Sequence, residues 1–544
     1  MKYLSLMLIS FIIMFVSCGE ENMVDEQIAQ FVPVELKYNS SMLDERQKAV
    51  VENLYYASKI MDEIFLDQVY SQNSSIKANL MADGSEGSLK KLELFNIMFG
   101  PFDRLDHDKP FIGTELKPDG ANFYPGDITK EEFEEWIKDH PEDKESFTSE
   151  FTMIRRDGDN LVAIPYSEYY KDKLTKAAEY LMNAAEYADN KSLKDYLTTR
   201  AHAFQTNDYF ESDMKWMDLK DHDIEIVIGP YEVYEDGLFN YKASFESFLT
   251  IKDPVESEKL DVFKSYLRDM EIHLPIPDEH KNFERGSESP LAVVNEIFTG
   301  GDTKAAVQTI AFNLPNDERV RKVKGSKKVM LKNVIDAKFN KLLIPIAEIV
   351  LDPDQLQYVS IDAFFNHSLM HEMSHGIGPG FITVDGRDTE VKKELKETYS
   401  TLEECKADIL GTYNNLFMIE KGEFPESFER EVWTTELAGI FRSVRFGINE
   451  AHGGGNAIIY NYMLENGGFE YDEQAEKVRV NYDKAYSVLE SLATKLLMIQ
   501  ATGNYQGAKD LIAKYVVHSP SMETLIGKLS NLPVDIKPVY EIER

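Results

Sequence analysis

The stretch Met370-His371-Glu372-Met373-Ser374-His375-Gly376 constrains this chain more than any other. Wound as a helix it brings residues four apart onto one face, so His371 and His375 offer two imidazoles to one metal ion while Glu372 points at a water beside it. Neutral imidazoles are good zinc ligands, and a carboxylate from another helix can supply the third bond. The fourth position then stays open for a water whose pKa the metal lowers towards neutrality, and Glu372 is placed to take its proton. The chemistry therefore asks for a second, acidic helix packed on the first.

That second element starts about 25 residues on, at Glu403-Glu404-Cys405-Lys406-Ala407-Asp408. Glu404 is the candidate third ligand, and Glu403 and Asp408 are carboxylates able to hold the ligand imidazoles in the correct tautomer. A plainer reading competes: Thr401-Leu402-Glu403-Glu404 also fits a capping box, which makes Glu404 a helix-start residue. His367 lies four residues before His371 on the same face, but about 12 Å of helix rise separates it from His375. It cannot share their ion and reads as packing or support.

With 544 residues, 43% of them hydrophobic, the chain can bury a large core and build two to four structural units. The 95 acidic residues against 59 basic ones leave a formal charge of -36, which repels phosphate backbones and favours cationic substrates. No nucleic-acid partner is expected. Residues 1–17 read as an export signal: Met1-Lys2 is basic, Tyr3 to Val16 is apolar, and Phe15-Val16-Ser17-Cys18 resembles a bacterial lipobox with Cys18 as the lipidated residue. Glu20 and Glu21 resemble an acidic tag for the cell surface. The expected location is the outer membrane of a bacterium, facing the periplasm or the outside, with a lipid anchor. Residues 18–40 read as a tether. Cys405 is then the one remaining thiol, without a disulfide partner, and reads as a buried small residue.

Periodicity predicts a long helix over Leu43–Tyr70, helices over 129–138 and 167–206, strands over Asp223–Tyr234 and Ser244–Ile251, and an amphipathic helix over Lys259–Met270. The basic run Arg319–Lys328 reads as a solvated loop. After Leu342 helices dominate, including one at Ala457–Leu464, with His452 before it in a loop.

Several stretches together resemble the dipeptidyl peptidase III family of zinc metallopeptidases. The acidic helix is close to the family's E-E-C-R-A-E. Phe312-Asn313-Leu314-Pro315-Asn316 matches its N-x-P-N segment, and Gly229-Pro230-Tyr231-Glu232-Val233-Tyr234-Glu235-Asp236 looks like its G-x-x-E-x-Y-x-D strand. Ala451-His452 is similar to its downstream A-H pair. The matches run in order over residues 80 to 510. The chain departs from most members in its five-residue H-E-x-x-H, which resembles a subgroup whose plant members carry a Nudix domain; no Nudix box is present here. Asn456 stands where the family has Arg, and no basic residues near the C-terminus match those that hold the substrate carboxylate.

The resemblance implies that His371, His375 and Glu404 bind one zinc per chain with Glu372 as general base. Tyr234 and His452 would stabilise the oxyanion, and Glu232, Asn313 and Asn316 would hold the free amino terminus of a short peptide. Read by themselves, Tyr234 is a strand aromatic and the two asparagines are turn residues. The implied fold is α+β, mainly α, with two lobes around a wide cleft: a helical zinc lobe and a mixed lobe with a small β-barrel. Chain crossings place 41–255 and 295–342 in the mixed lobe and 256–294 and 343–515 in the helical lobe, leaving 516–544 unassigned. The expected activity is release of dipeptides by a monomer. A metallohydrolase of another amide or acyl substrate, or a silent peptide-binding lipoprotein, are the alternatives; an intact Glu372 speaks against the last.

Overall fold

The structure is a computed structural model that describes residues 23–283 and 290–544. The export signal, Cys18 and the acidic pair after it lie outside the described residues. The fold is α+β and mainly helical, and the chain divides into two compact units. The first runs to Asp253, returns up to Val334, and takes back Pro533–Arg544; the second begins at Pro254 and resumes over Ile335–Leu532. The implied crossings at 255, 294 and 342 stand against observed ones at 253, 288 and 334, and the unassigned C-terminal segment divides at Leu532.

In the first unit the organising helix is α1 (Glu45–Val69), started by a full capping box between Asp44 and Gln47. Its apolar face, including Val50, Leu54, Met61, Ile64 and Phe65, is buried, and it packs against α2 (Lys171–Tyr187) and a five-stranded sheet. Helix α3 (Lys191–Thr206) follows α2 after a break at Asp189-Asn190, where the Asn190 side chain caps the second helix. The sheet contains β2 (Ile224–Glu232), β3 (Ser244–Lys252), β4 (Leu291–Gly301), β5 (Ala311–Leu314) and β6 (Lys327–Leu331), in the order β2-β3-β4-β6-β5. Among the described residues β2 and β5 are the two ends of this strand order with no ladder between them, so the expected small barrel is not confirmed.

Two expectations are corrected here. Residues 18–40 are not all tether: Val24 and Phe31 are buried in a cluster with Leu94 and Met98, and β1 (Phe31–Leu36) pairs in parallel with β7 (Asp535–Tyr540). A six-residue strand leaves little periodic signal, and its partner comes from the other end of the chain. The basic run is not a loop either. It forms α4 (Glu318–Lys324) and the start of β6, where buried Lys327 pairs with Glu225 at 2.7 Å and lies 4.2 Å from the Trp216 ring centroid. Charge counts read such a stretch as solvated because they cannot see the buried carboxylate opposite.

The second unit is a helical assembly around α6 (Tyr399–Glu420), in which every residue from Cys405 to Met418 is buried. A helix covered on all sides needs neighbours on all sides, and it has them: α5 (Ile361–Ser374), α7 (Phe428–Val444), α8 (Ala451–Glu465) and α9 (Tyr482–Ala501). Helix α8 starts six residues before the expected Ala457, so His452 sits in a first helical turn and not in a loop. Glycine disfavours helix in isolation, which is why Gly453-Gly454-Gly455 reads as a break. Here packing overrides it: a Cβ on Gly453 would lie 2.0 Å from the Gly447 carbonyl oxygen, and one on Gly455 would lie 2.9 Å from the Cys405 backbone nitrogen. The bare backbone lets α8 close onto α6 beside Glu404.

Candidate metal centre

Helix α5 opens with Ser360 as its N-cap and carries His371 in its last turn, with His375 at its C-terminal end. Helix α6 presents Glu404 to both. One donor atom from each of these three residues lies within 4.8 Å of the others. The alternative capping-box role for Glu404 does not form, because α6 begins at Tyr399 and Thr401 is already inside its first turn.

The Oε2 atom of Glu404 is buried and makes no hydrogen bond of acceptable geometry. Three imidazole nitrogens nevertheless ring it: His371 Nε2 at 3.3 Å, His375 Nε2 at 3.7 Å and His452 Nδ1 at 3.2 Å. A buried carboxylate oxygen without a donor is costly unless something else satisfies it. Ligands at about 2.1 Å from a tetrahedral ion stand about 3.4 Å from one another, which is the spacing of Glu404 to the two ligand histidines. The donor set of two imidazoles and one carboxylate fits zinc and leaves a position for water.

The remaining ring nitrogens are already engaged. His371 Nδ1 lies 2.7 Å from Asp408 Oδ1, and His375 Nδ1 lies 3.0 Å from Glu403 Oε1. A carboxylate accepts only, so each Nδ1 carries the proton and each Nε2 is turned towards Glu404. Asp408 also accepts from Asn456 Nδ2 at 2.8 Å and faces His367 Nε2 at 3.4 Å, and His367 Nδ1 in turn lies 3.0 Å from Glu436 Oε2. Glu403 is further held by Lys406 Nζ at 2.8 Å and by Gln500 Nε2 at 3.1 Å.

These contacts decide the charges. Burial alone would push Glu403 up, but Lys406 and His375 bring it down to about 2. Burial acts the same way on Asp408, and His371 and His367 hold it well below the carboxylate range. At His371 burial opposes charge, yet Asp408 and Glu404 outweigh it and raise the imidazole to about 10. Glu403 and Asp408 are thus fixed anions behind the ligand imidazoles. Burial keeps the Cys405 thiol high, which suits a packing residue and not a nucleophile.

Thus the structure brings together His371, His375, Glu404, Glu403, Asp408 and His452, with Glu372 between the two histidines on α5. His367 takes the supporting place expected of it. Sequence reasoning missed Asn456, Lys406, Gln500 and Glu436. Lys406 carried a local signal, three residues after Glu403 on one helix; Gln500 and Glu436 come from helices far along the chain and carried none. Asn456 binds the Asp408 carboxylate and the His452 carbonyl oxygen, so it completes the support of a metal ligand.

The other expected residues belong to the first unit. Glu232 ends β2, and Asn316 Nδ2 donates to its Oε1 at 3.3 Å and to the Tyr231 carbonyl oxygen at 3.1 Å. Asn313 lies exposed on edge strand β5, paired in register with Lys328. Tyr234 is not in the strand but on the turn after it, and is 79% exposed. The turn is pinned from behind. Asp236 accepts from the backbone nitrogens of Leu238, Phe239, Tyr241 and Lys242 and from the Tyr124 hydroxyl.

A family model described as Peptidase family M49 matches residues 140–387. Over 574 aligned positions the chain is 37% identical to Nudix hydrolase 3 of Arabidopsis thaliana, covering 95% of this chain and 74% of that protein. Among solved structures it is similar to DPP III from Caldithrix abyssi, with 64% identity and a TM-score of 0.94 over 95% of this chain and 99% of that one. It is also similar to dipeptidyl-peptidase III from Corallococcus sp. strain EGB, with 42% identity and a TM-score of 0.79 over 96% of this chain and 97% of that one.

Proposed function

The chain belongs to peptidase family M49 and is a metallopeptidase, and we propose that it is a zinc-dependent exopeptidase that releases dipeptides from the free amino terminus of short peptides. The observation that carries the zinc reading is the buried Glu404 oxygen facing His371 and His375 at the spacing of tetrahedral ligands.

Zinc held by His371, His375 and Glu404 would polarise a peptide carbonyl and make a water acidic at neutral pH. Glu372 takes the proton from the attacking water and passes it to the leaving amine. Asp408 and Glu403 keep the proton on Nδ1 of the two ligand histidines, so that Nε2 stays a donor pair for metal. His452, 64% exposed in the first turn of α8, offers a ring N–H to the developing oxyanion. Glu232 is the anion that receives the substrate ammonium. Anchoring through Cys18 completes the proposal: Cys18→Ser releases the protein from membranes into the soluble fraction.

The test is hydrolysis of dipeptidyl-arylamides with and without a free amino terminus. Release of intact dipeptide from free-amine substrates only, lost in Glu372→Ala with metal content unchanged, is the expected result. A folded, zinc-loaded protein that turns over none of them would sink the exopeptidase reading.

A further inference from the structure

We propose that Arg321 is a positioning residue for recognition of the substrate's free amino terminus, acting on Glu232 through Asn316. The inference rests on the reading of Glu232 as the anion that meets the ammonium group.

Arg321, on α4, uses all three of its nitrogens. Nε donates to the Pro315 carbonyl oxygen at 3.0 Å, Nη1 to Glu318 Oε1 at 3.1 Å and Nη2 to Asn316 Oδ1 at 3.2 Å. A guanidinium can only donate, so the amide oxygen of Asn316 must face it and the amide nitrogen must face the other way. Both hydrogens of that nitrogen are then committed, to the Tyr231 carbonyl oxygen and to Glu232 Oε1. Asn316 is therefore a relay whose orientation Arg321 dictates. Its oxygen gives one lone pair to Arg321 and keeps the other for a donor such as an ammonium group. The acceptors left for the ligand are the second oxygen of Glu232, that lone pair of Asn316 and the exposed amide of Asn313.

The relay also serves the charge on Glu232. Burial pushes this carboxyl up, while the Asn316 hydrogen bond and the Arg321 charge pull it back. Placing the guanidinium one residue away lowers the carboxyl without setting a second cation where the ammonium must sit. Arg321 itself is half-buried, with its fork spanning the turn that carries Asn316. A lysine could supply the charge there but not the fork.

The experiment uses an alanyl-alanyl-arylamide as substrate and its N-acetyl counterpart as competitor, over a range of pH, with metal content checked for each variant. For Arg321→Met the expected result is a KM raised about tenfold with kcat changed less than about threefold, since a charge-assisted hydrogen bond is removed from binding alone. The acid limb of kcat/KM moves to higher pH, because Glu232 loses its neighbouring charge. On a Glu232→Gln background the same substitution adds less than about twofold. Arg321→Lys keeps the acid limb in place and raises KM about threefold, and it carries the test if Arg321→Met does not fold. If Glu232→Gln weakens the preference for free amines while the Arg321 variants leave KM and the acid limb unmoved, the relay is wrong and the amine reading stands. If Glu232→Gln leaves that preference intact, the amine reading fails and the relay fails with it.

Discussion

Two groups of buried or half-buried carboxylates divide the chemistry of this protein. In the second unit Glu403 and Asp408 each face cations or imidazoles at 3.0 Å or less and are held low by them. In the first unit Glu232, Glu246 and Asp302 are pushed the other way. Burial raises all three; the charges of Glu232 and Asp302 add to the effect at Glu246, and Glu235 adds to it at Asp302, which reaches about 7. The residue types are the same, and only the partners differ. The carboxylates beside the candidate metal ligands are held as anions by the cations and imidazoles that face them, whereas burial, reinforced at Glu246 and Asp302 by neighbouring carboxylates, outweighs the positive charge near the second group.

The largest effect expected on either side is at Glu372, which belongs to neither group. Its replacement by Ala should lower kcat by about a thousandfold while zinc content, read by atomic absorption, stays at one per chain. Loss of zinc in that variant would move Glu372 from proton transfer to metal holding. Next comes the orienting group: Asp408→Asn removes the charge behind His371 Nδ1 and sets an NH2 donor where Asp408 accepts from His371 or Asn456, and should weaken zinc binding by about 10- to 100-fold in a chelator competition. An unchanged affinity would mean that the fixed anions serve folding only. Third is the close approach that lets Asn456 reach Asp408. Gly455→Ala forces a methyl against the Cys405 backbone and should cost about 1–3 kcal/mol by denaturant unfolding, with weaker zinc binding.

The smallest and sharpest contrast is in pH. Glu403 has a folded value of about 2 against 4.5 unfolded, so its stabilising contribution is present above 4.5 and is lost as pH falls towards 2. Asp302 has the opposite sign: raised from 3.8 to about 7, it favours the folded state below 3.8 and loses that contribution as pH rises to 7. Metal-free Glu403→Gln should therefore melt below the parent at pH 6, with the gap closing towards pH 2. Asp302→Asn should melt above the parent at pH 8, with the gap closing towards pH 4. Matching pH dependence in the two variants would erase the distinction between the groups.

Local sequence determined the reactive core of this protein. Two histidines four apart must share a helix face, and an acidic run on another helix is the natural third ligand; His371, Glu372, His375 and Glu404 were legible for that reason, as was the long capped helix α1. The tertiary structure decided what surrounds them. Asn456, Gln500 and Glu436 come to the metal centre from three other helices, and no periodicity relates positions that meet only through packing. Gly453-Gly454-Gly455 looked like a break because helix propensity is a local quantity, while the reason for helix there is the backbone of α6 pressed against it. The same applies to β1, completed by a strand from the far end of the chain, and to Lys327, a surface residue by charge that is a core residue by virtue of Glu225. Sequence spacing fixes which atoms share one element; which elements face each other is set by burial and charge pairing over the whole chain.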